Sequence, residues 1–196
     1  MNDENKRNAV ETAIALRIEE IMSFLQIPKT DSNKDTPKRI AKMWNREIFA
    51  NRNDSTISDL RENITTFPNV YEKTEMVIVK DIPFSSTCEH HWLPFTGKAT
   101  VGYVPNRLIL GLSKIPRIVK FFSKKPQLQE QFTTEIGDFI RDEIKPWAVF
   151  VEVEAEHQCV SCRGAESECS TKTYYKWIHE TCDKKIYKEF RNRVKE

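Results

Sequence analysis

Two cysteine–histidine clusters constrain this chain more than anything else in it. The first is Cys88-Glu89-His90-His91. The second lies about seventy residues on and reads His157-Gln158-Cys159-Val160-Ser161-Cys162-Arg163-Gly164. Thiolate and imidazole are the donors that zinc prefers. The C-x2-H spacing puts Cys88 and His91 one turn apart on one side of the backbone. The second cluster ends a strand-like run, WAVFVEVEAEH. In a strand, residues two apart share a face, so His157 and Cys159 point the same way. A fold that satisfies both clusters must bring the ends of two distant segments to one point. Cys88, His91 and Cys159 could then converge on one metal, with His90 and His157 beside it.

Two readings of that convergence compete. Three ligands leave a tetrahedral zinc with an open position, where bound water has a pKa near 7. Neighbouring histidines would move protons there, because imidazole titrates near neutrality. Adding Cys162 gives C-x2-H and C-x2-C, a closed structural site of four ligands. Strand parity weighs against the closed site, since residues 159 and 162 face apart in an extended segment. The two extra histidines point the same way, because a purely structural site does not need them.

The totals narrow the class of protein. A length of 196 residues suffices for one domain with a core. Lysine plus arginine is 31 against 29 acidic residues, a balance that announces neither a nucleic acid nor an acidic membrane as partner. Apolar runs are too short for a transmembrane helix. The opening MNDENKRNAVE has no apolar core of a secretory signal. Five cysteines, an odd number without an export signal, argue for free thiols in a reducing cytoplasm rather than a disulfide framework.

Periodicity supplies the frame. Val10, Ile14, Ile18, Ile21 and Leu25 form one helical stripe, stopped at Pro28. Thr36-Pro37 opens a second helix, with Ile40, Trp44 and Ile48 on its apolar face. Arg39, Lys42 and Arg46 make a basic stripe on it, which by itself reads as a solvated face. Residues 51–74 read as loop with some helix. Strands follow at EMVIVKDIPF and at 97–104. Ser113 caps a helix that buries Ile115, Ile118, Val119 and Phe122. A longer helix from Pro126 turns Leu128, Phe132, Ile136, Phe139, Ile140 and Ile144 inward, with Gln129 and Glu130 off that face. The strand from Trp147 alternates valine and alanine against Phe150 and glutamates. TKTYYKWI is a shorter strand, and Ile186, Phe190 and Val194 mark a last helix. This order predicts an α+β fold with an antiparallel sheet.

Three smaller motifs carry two meanings each. Gly111-Leu112-Ser113-Lys114 precedes a helix start, where backbone N–H groups with Lys114 and Arg117 suit a phosphate; a capping serine beside a surface lysine is the plainer meaning. Glu130 in a first helical turn suits the helix dipole, or the N–H groups of a purine edge. Arg163 could bind phosphate bidentately, or pair with Glu166 or Glu168.

Together these motifs resemble the GTP cyclohydrolase I family. The resemblance rests on TPKRIAKMW at 36–44, STCEHHWLPFTGKATVGYVP at 86–105, LGLSKIPRIVKFFSKKPQLQEQFT at 110–133 and VEAEHQCVSCRG at 153–164. It implies the tunnelling fold: a four-stranded antiparallel sheet with helices on one side behind an N-terminal helical region, closing with other copies into a barrel. It divides the chain at 1–70 and 71–196, and implies a decamer of two stacked pentamers with active sites between subunits. The implied reaction takes GTP and water to formate and 7,8-dihydroneopterin triphosphate, with zinc hydroxide attacking C8 of guanine. Carried onto this chain, Cys88, His91 and Cys159 hold Zn2+, and His90 and His157 move protons. Glu130 with Gln129 anchors guanine. Ser113, Lys114, Arg117 and Arg163, with Arg39 and Lys42, hold the triphosphate. No regulatory protein partner is expected.

This chain also departs from the family pattern. Cys162 stands where an apolar or small residue is common, and AESECSTKTYYKW is more acidic and bulkier than the usual hydroxyl-rich run. Two other functions therefore stay in view. One is a silent, zinc-stabilised assembly protein. The other is a same-fold enzyme acting on a different pterin or a deazaguanine. The persistence of His90, His157 and Glu130 favours the cyclohydrolase.

Overall fold

The structure is a computed structural model that describes residues 3–52, 55–72 and 74–195. The chain divides into two compact units, 1–52 and 53–196.

In the first unit, α1 (Asp3–Phe24) packs on α2 (Thr36–Met43), which runs into a π-helical turn at Trp44–Ile48. Pro37 sits in the first turn of α2, where its missing N–H breaks no helical bond. The face of α1 that meets α2 differs from the expected stripe. Glu11, Ile14, Ala15, Ile18 and Met22 are buried or half-buried, whereas Val10, Ile21 and Leu25 are exposed. A polar anchor selects this face. Asn45, itself buried, donates to Glu11 Oε1 and to the Arg7 carbonyl, and Arg46 donates to the same Glu11 carboxylate at 2.6 Å. Arg46 is also paired with Glu4. Of the three residues in the basic stripe, it is thus a structural cation, while Arg39 and Lys42 are exposed.

The second unit begins with α3 (Ser55–Glu62) and a short strand, β1 (Thr66–Pro68). It continues through β2 (Val77–Cys88), β3 (Pro94–Val104), β4 (Leu108–Leu110) and α4 (Lys114–Phe122). Next come β5 (Pro126–Gln127), α5 (Gln129–Ile144), β6 (Ala148–His157), the single turn α6 (Gln158–Ser161), β7 (Ser170–Ile178) and α7 (Ile186–Lys195). β1 pairs with β4, and Leu60 of α3 enters the main core, so residues 55–68 belong with the sheet rather than with the N-terminal helices.

The main sheet has the order β5-β2-β3-β6-β7. Its four long strands are antiparallel neighbours, and two-residue β5 adds a parallel edge beside β2. The valines of β6 face α5 in the core with Phe132, Ile136 and Ile140. The opposite face carries Lys98, Glu152, Glu154 and Lys172 and, toward one end, a second apolar cluster that includes Val104, Ala148 and Phe150. Phe150 points there and stacks on Phe190 of α7, ring centroids 5.1 Å apart. One helix therefore covers part of the second face. Gly102, opposite Phe150 in register, makes this contact possible, since a Cβ there would lie 2.7 Å from the Phe190 ring.

Register decides where the two clusters meet. Thr87 pairs with Pro94, and Phe95 pairs with His157. The start of β3 is thus flanked by the end of β2 on one side and the end of β6 on the other. Cys88 also pairs with Gln127 of β5, which delivers the start of α5 to the same end of the sheet.

Candidate active site

Cys88 closes β2 and is buried. Its N–H donates to the Leu93 carbonyl and its carbonyl accepts from Trp92 N–H, both at 2.9 Å. These two bonds close a tight turn over 89–91, with Trp92 in the left-handed region at φ 54°. The turn lifts His90 and His91 to the surface. On the far side of β3 the strand ends at His157, and Cys159 lies on the following helical turn rather than on the strand itself. Ligand atoms of Cys88, His91 and Cys159 all lie within 4.8 Å of one another. This group can hold a metal ion.

The helical turn removes the parity argument about Cys162, since residues three apart on a helix are neighbours. Geometry answers instead. Cys162 is exposed, its Sγ donates to the Gln158 carbonyl at 2.7 Å, and among the described residues it is not part of the ligand group. Burial, then the adjacent Cys88 thiol, pushes the Cys159 thiol above its usual pKa. Two thiolates so close repel one another unless a cation sits between them, and this donor set of two sulfurs and an imidazole suits a soft or borderline cation.

His157 is held by two contacts. Its ring stacks on Phe95, with centroids 4.8 Å apart and planes 7° from parallel. Its Nε2 lies 2.7 Å from Gln129 Oε1. Burial lowers its pKa, opposed by the charge of Glu130. His90 is a different case. It is exposed, and its nearest charged neighbour is Glu89, 3.7 Å away.

The start of α5 also departs from expectation. Leu128 is the residue before the helix, in extended geometry, and is 39% exposed; Gln129 is 1% exposed. Because the helix begins one residue after Leu128, Gln129 rather than Leu128 turns under the sheet. Its Nε2 reaches the Val153 and Thr171 carbonyls and Thr173 Oγ1. The amide expected beside guanine is thus engaged within the protein. Glu130 is exposed in the first turn.

Residues 14–195 match the family model described as GTP cyclohydrolase I. The chain belongs to the GTP cyclohydrolase I family. The GTP cyclohydrolase 1 of Sulfurihydrogenibium sp. is 44% identical over 161 residues, which span 82% of this chain and 80% of that one. That of Hydrogenobaculum sp. is 47% identical over 134 residues, 68% of this chain and 69% of its own. That of Porphyromonas gingivalis is 43% identical over 155 residues, 79% and 78%. Among solved structures, an archaeosine synthase QueF-Like in the apo form aligns with a TM-score of 0.42 at 16% identity, over 52% of this chain and 91% of that chain. That likeness is too slight to bear on fold or function.

The remaining residues singled out from family motifs are spread over the molecule. Ser113 stands before α4, but its hydroxyl makes no capping bond. Lys114 donates to the Asn63 carbonyl at 2.9 Å, and Arg117 is exposed. The other end of α4 is the one tied to the strand ends, through Phe122 O, Gln127 and Ser86. Nine residues of helix, about 13 Å, separate the two ends. Arg163 lies just past α6, and its charge opposes the rise in the Cys159 pKa. Arg39 and Lys42 belong to the first unit. Sequence reasoning missed Phe95, Thr133 and Thr173 as supports of the site. Only the strand register, with Phe95 opposite His157, brings Phe95 there.

Proposed function

We propose that this chain converts GTP and water to formate and 7,8-dihydroneopterin triphosphate. Membership of the family supports the reaction, and one observation carries it to these residues: the donor atoms of Cys88, His91 and Cys159 gather within 4.8 Å beside a half-buried histidine. Zinc fits them. Bonds of about 2.0–2.3 Å would set its ligands roughly 3.3–3.8 Å apart, a small rotamer change from the arrangement described. Bound there, zinc supplies Lewis-acid activation of water near neutral pH.

The protein groups do the rest. His157 takes and returns protons from a fixed position, and His90 does so from the exposed turn. The Glu130 carboxylate accepts from the ring N–H and exocyclic amine of guanine, which orients C8 away from it. Arg163, Lys114, Arg117 and Ser113 bind the triphosphate, joined by Arg39 and Lys42. A second copy of the chain provides the Ser113–Arg117 part of each site, which is why these residues stand a helix length from the ligand group in one chain. The assembly is the tunnelling-fold barrel, as a decamer in the cytoplasm. Among the described residues no helix is long and apolar enough to cross a membrane.

The test is direct. Zinc-loaded protein incubated with GTP is expected to release formate and, after oxidation, a fluorescent pterin in equal amounts. A folded, zinc-loaded protein that leaves GTP intact refutes the reading.

A further inference from the structure

The side chain of Gln129 is 1% exposed, and each of its polar atoms has a partner. Nε2 lies 3.1 Å from the Val153 carbonyl, 3.0 Å from the Thr171 carbonyl and 3.2 Å from Thr173 Oγ1. Two of these three partners are backbone carbonyls, which only accept. An amide turned the other way would set Oε1 against two carbonyl oxygens with no proton between them. The network therefore allows one orientation: the NH2 toward the strands, Oε1 toward His157.

The hydroxyls agree. Thr133 Oγ1 donates its only proton to the Gln129 backbone carbonyl at 2.8 Å. In the 2.6 Å contact between Thr133 and Thr173, the proton must then come from Thr173. That leaves the lone pairs of Thr173 free to accept from Gln129 Nε2. The chain of donors ends at Gln129 Oε1, which lies 2.7 Å from His157 Nε2 and can only accept. Nε2 must therefore carry a proton.

We infer that Gln129 is a positioning residue that holds His157 as its Nε2–H tautomer, so that Nδ1 carries the ring's lone pair. A ring nitrogen pinned in this way fixes the tautomer and the plane together, the role that a carboxylate or carbonyl plays behind a working histidine elsewhere. Phe95, stacked on the ring, holds the plane from below. The catalytic meaning of this arrangement rests on the proposed reaction; the tautomer itself does not.

The experiment has an arm that needs no turnover. In zinc-loaded protein carrying 15N-labelled histidine, solid-state NMR resolves the ring nitrogens of the four histidines, and a His157→Asn sample assigns the signal. The expected result is a neutral His157 with a protonated Nε2 and an unprotonated Nδ1. A protonated Nδ1 with a bare Nε2 overturns the inference. If this tautomer is found in a protein inert toward GTP, the inference stands and the proposed reaction fails. The second arm is Gln129→Met, which keeps the volume and removes the acceptor. It is expected to mix the His157 tautomers and lower kcat about 10–100-fold, the usual cost of losing such a partner, with KM for GTP little changed. A raised KM at unchanged kcat would assign Gln129 to the guanine instead and overturn the positioning role. Should Gln129→Met fail to fold, the wild-type spectrum decides alone.

Discussion

Two histidines of the site, His157 and His90, are held in opposite ways. His157 stacks on Phe95, bonds to a buried glutamine and is backed by Thr133 and Thr173. His90 stands on an exposed turn with Glu89 at 3.7 Å. The inner half of the site is thus preorganised by one chain, through strand register and a closed hydrogen-bond network. The outer half, with Glu89, His90, His91 and Arg163, keeps its side-chain freedom in solvent. The difference teaches where the fold has invested its order. The seating of Cys88 and the inner proton step depend on packing at the end of the sheet, whereas the outer groups, His91 among them, depend on what they bind.

Removing an inner ligand should have the largest effect. Cys159→Ser is expected to lose bound zinc and to cut formate release by more than the roughly 100-fold that outer-shell partners cost. Zinc content of the purified variant is the check. Next come the two histidines. His157→Ala and His90→Ala should both retain zinc while kcat falls by about 10²–10⁴-fold. If His90→Ala empties the metal site instead, the assignment of ligand and proton carrier on the outer turn is reversed. A third change tests the inner frame without touching the chemistry. A Cβ on Gly137 of α5 would overlap the Tyr175 ring of β7. Gly137→Ala should therefore destabilise the sheet unit by about 1–3 kcal/mol, read as a lowered urea midpoint. The smallest effect is expected at Cys162→Ser. An exposed thiol outside the ligand group should change stability by no more than about 0.5 kcal/mol and leave zinc content intact.

The same division marks what the sequence can reveal. Elements with strong apolar periodicity are legible: the valines of β6, and Phe132, Ile136 and Ile140 along α5. Local spacing also brings the ligand triad into view, because C-x2-H and the end of a valine-rich strand have few geometric outcomes. Legibility ends where a tertiary partner selects among local options. Leu128 and Gln129 trade places because an extended residue precedes the helix start, and neither residue type signals that. Cys159 leaves the strand for a helical turn, so parity along β6 could not decide about Cys162. The face of α1 is set by Asn45 and Arg46 binding Glu11, which outweighs a hydrophobic stripe. β2 extends through Ser85 and Ser86 because β3 supplies backbone partners there, not because serine favours a strand. Register, which seats Phe95 on His157, is a property of pairs of strands.

The central claim is a metal gripped by three side chains with one corner left for solvent. X-ray absorption at the zinc edge of the loaded, active protein counts those ligands most directly. Two sulfurs, one imidazole nitrogen and one light oxygen donor are predicted. Three sulfurs, with Cys162 filling the fourth corner, would contradict the account.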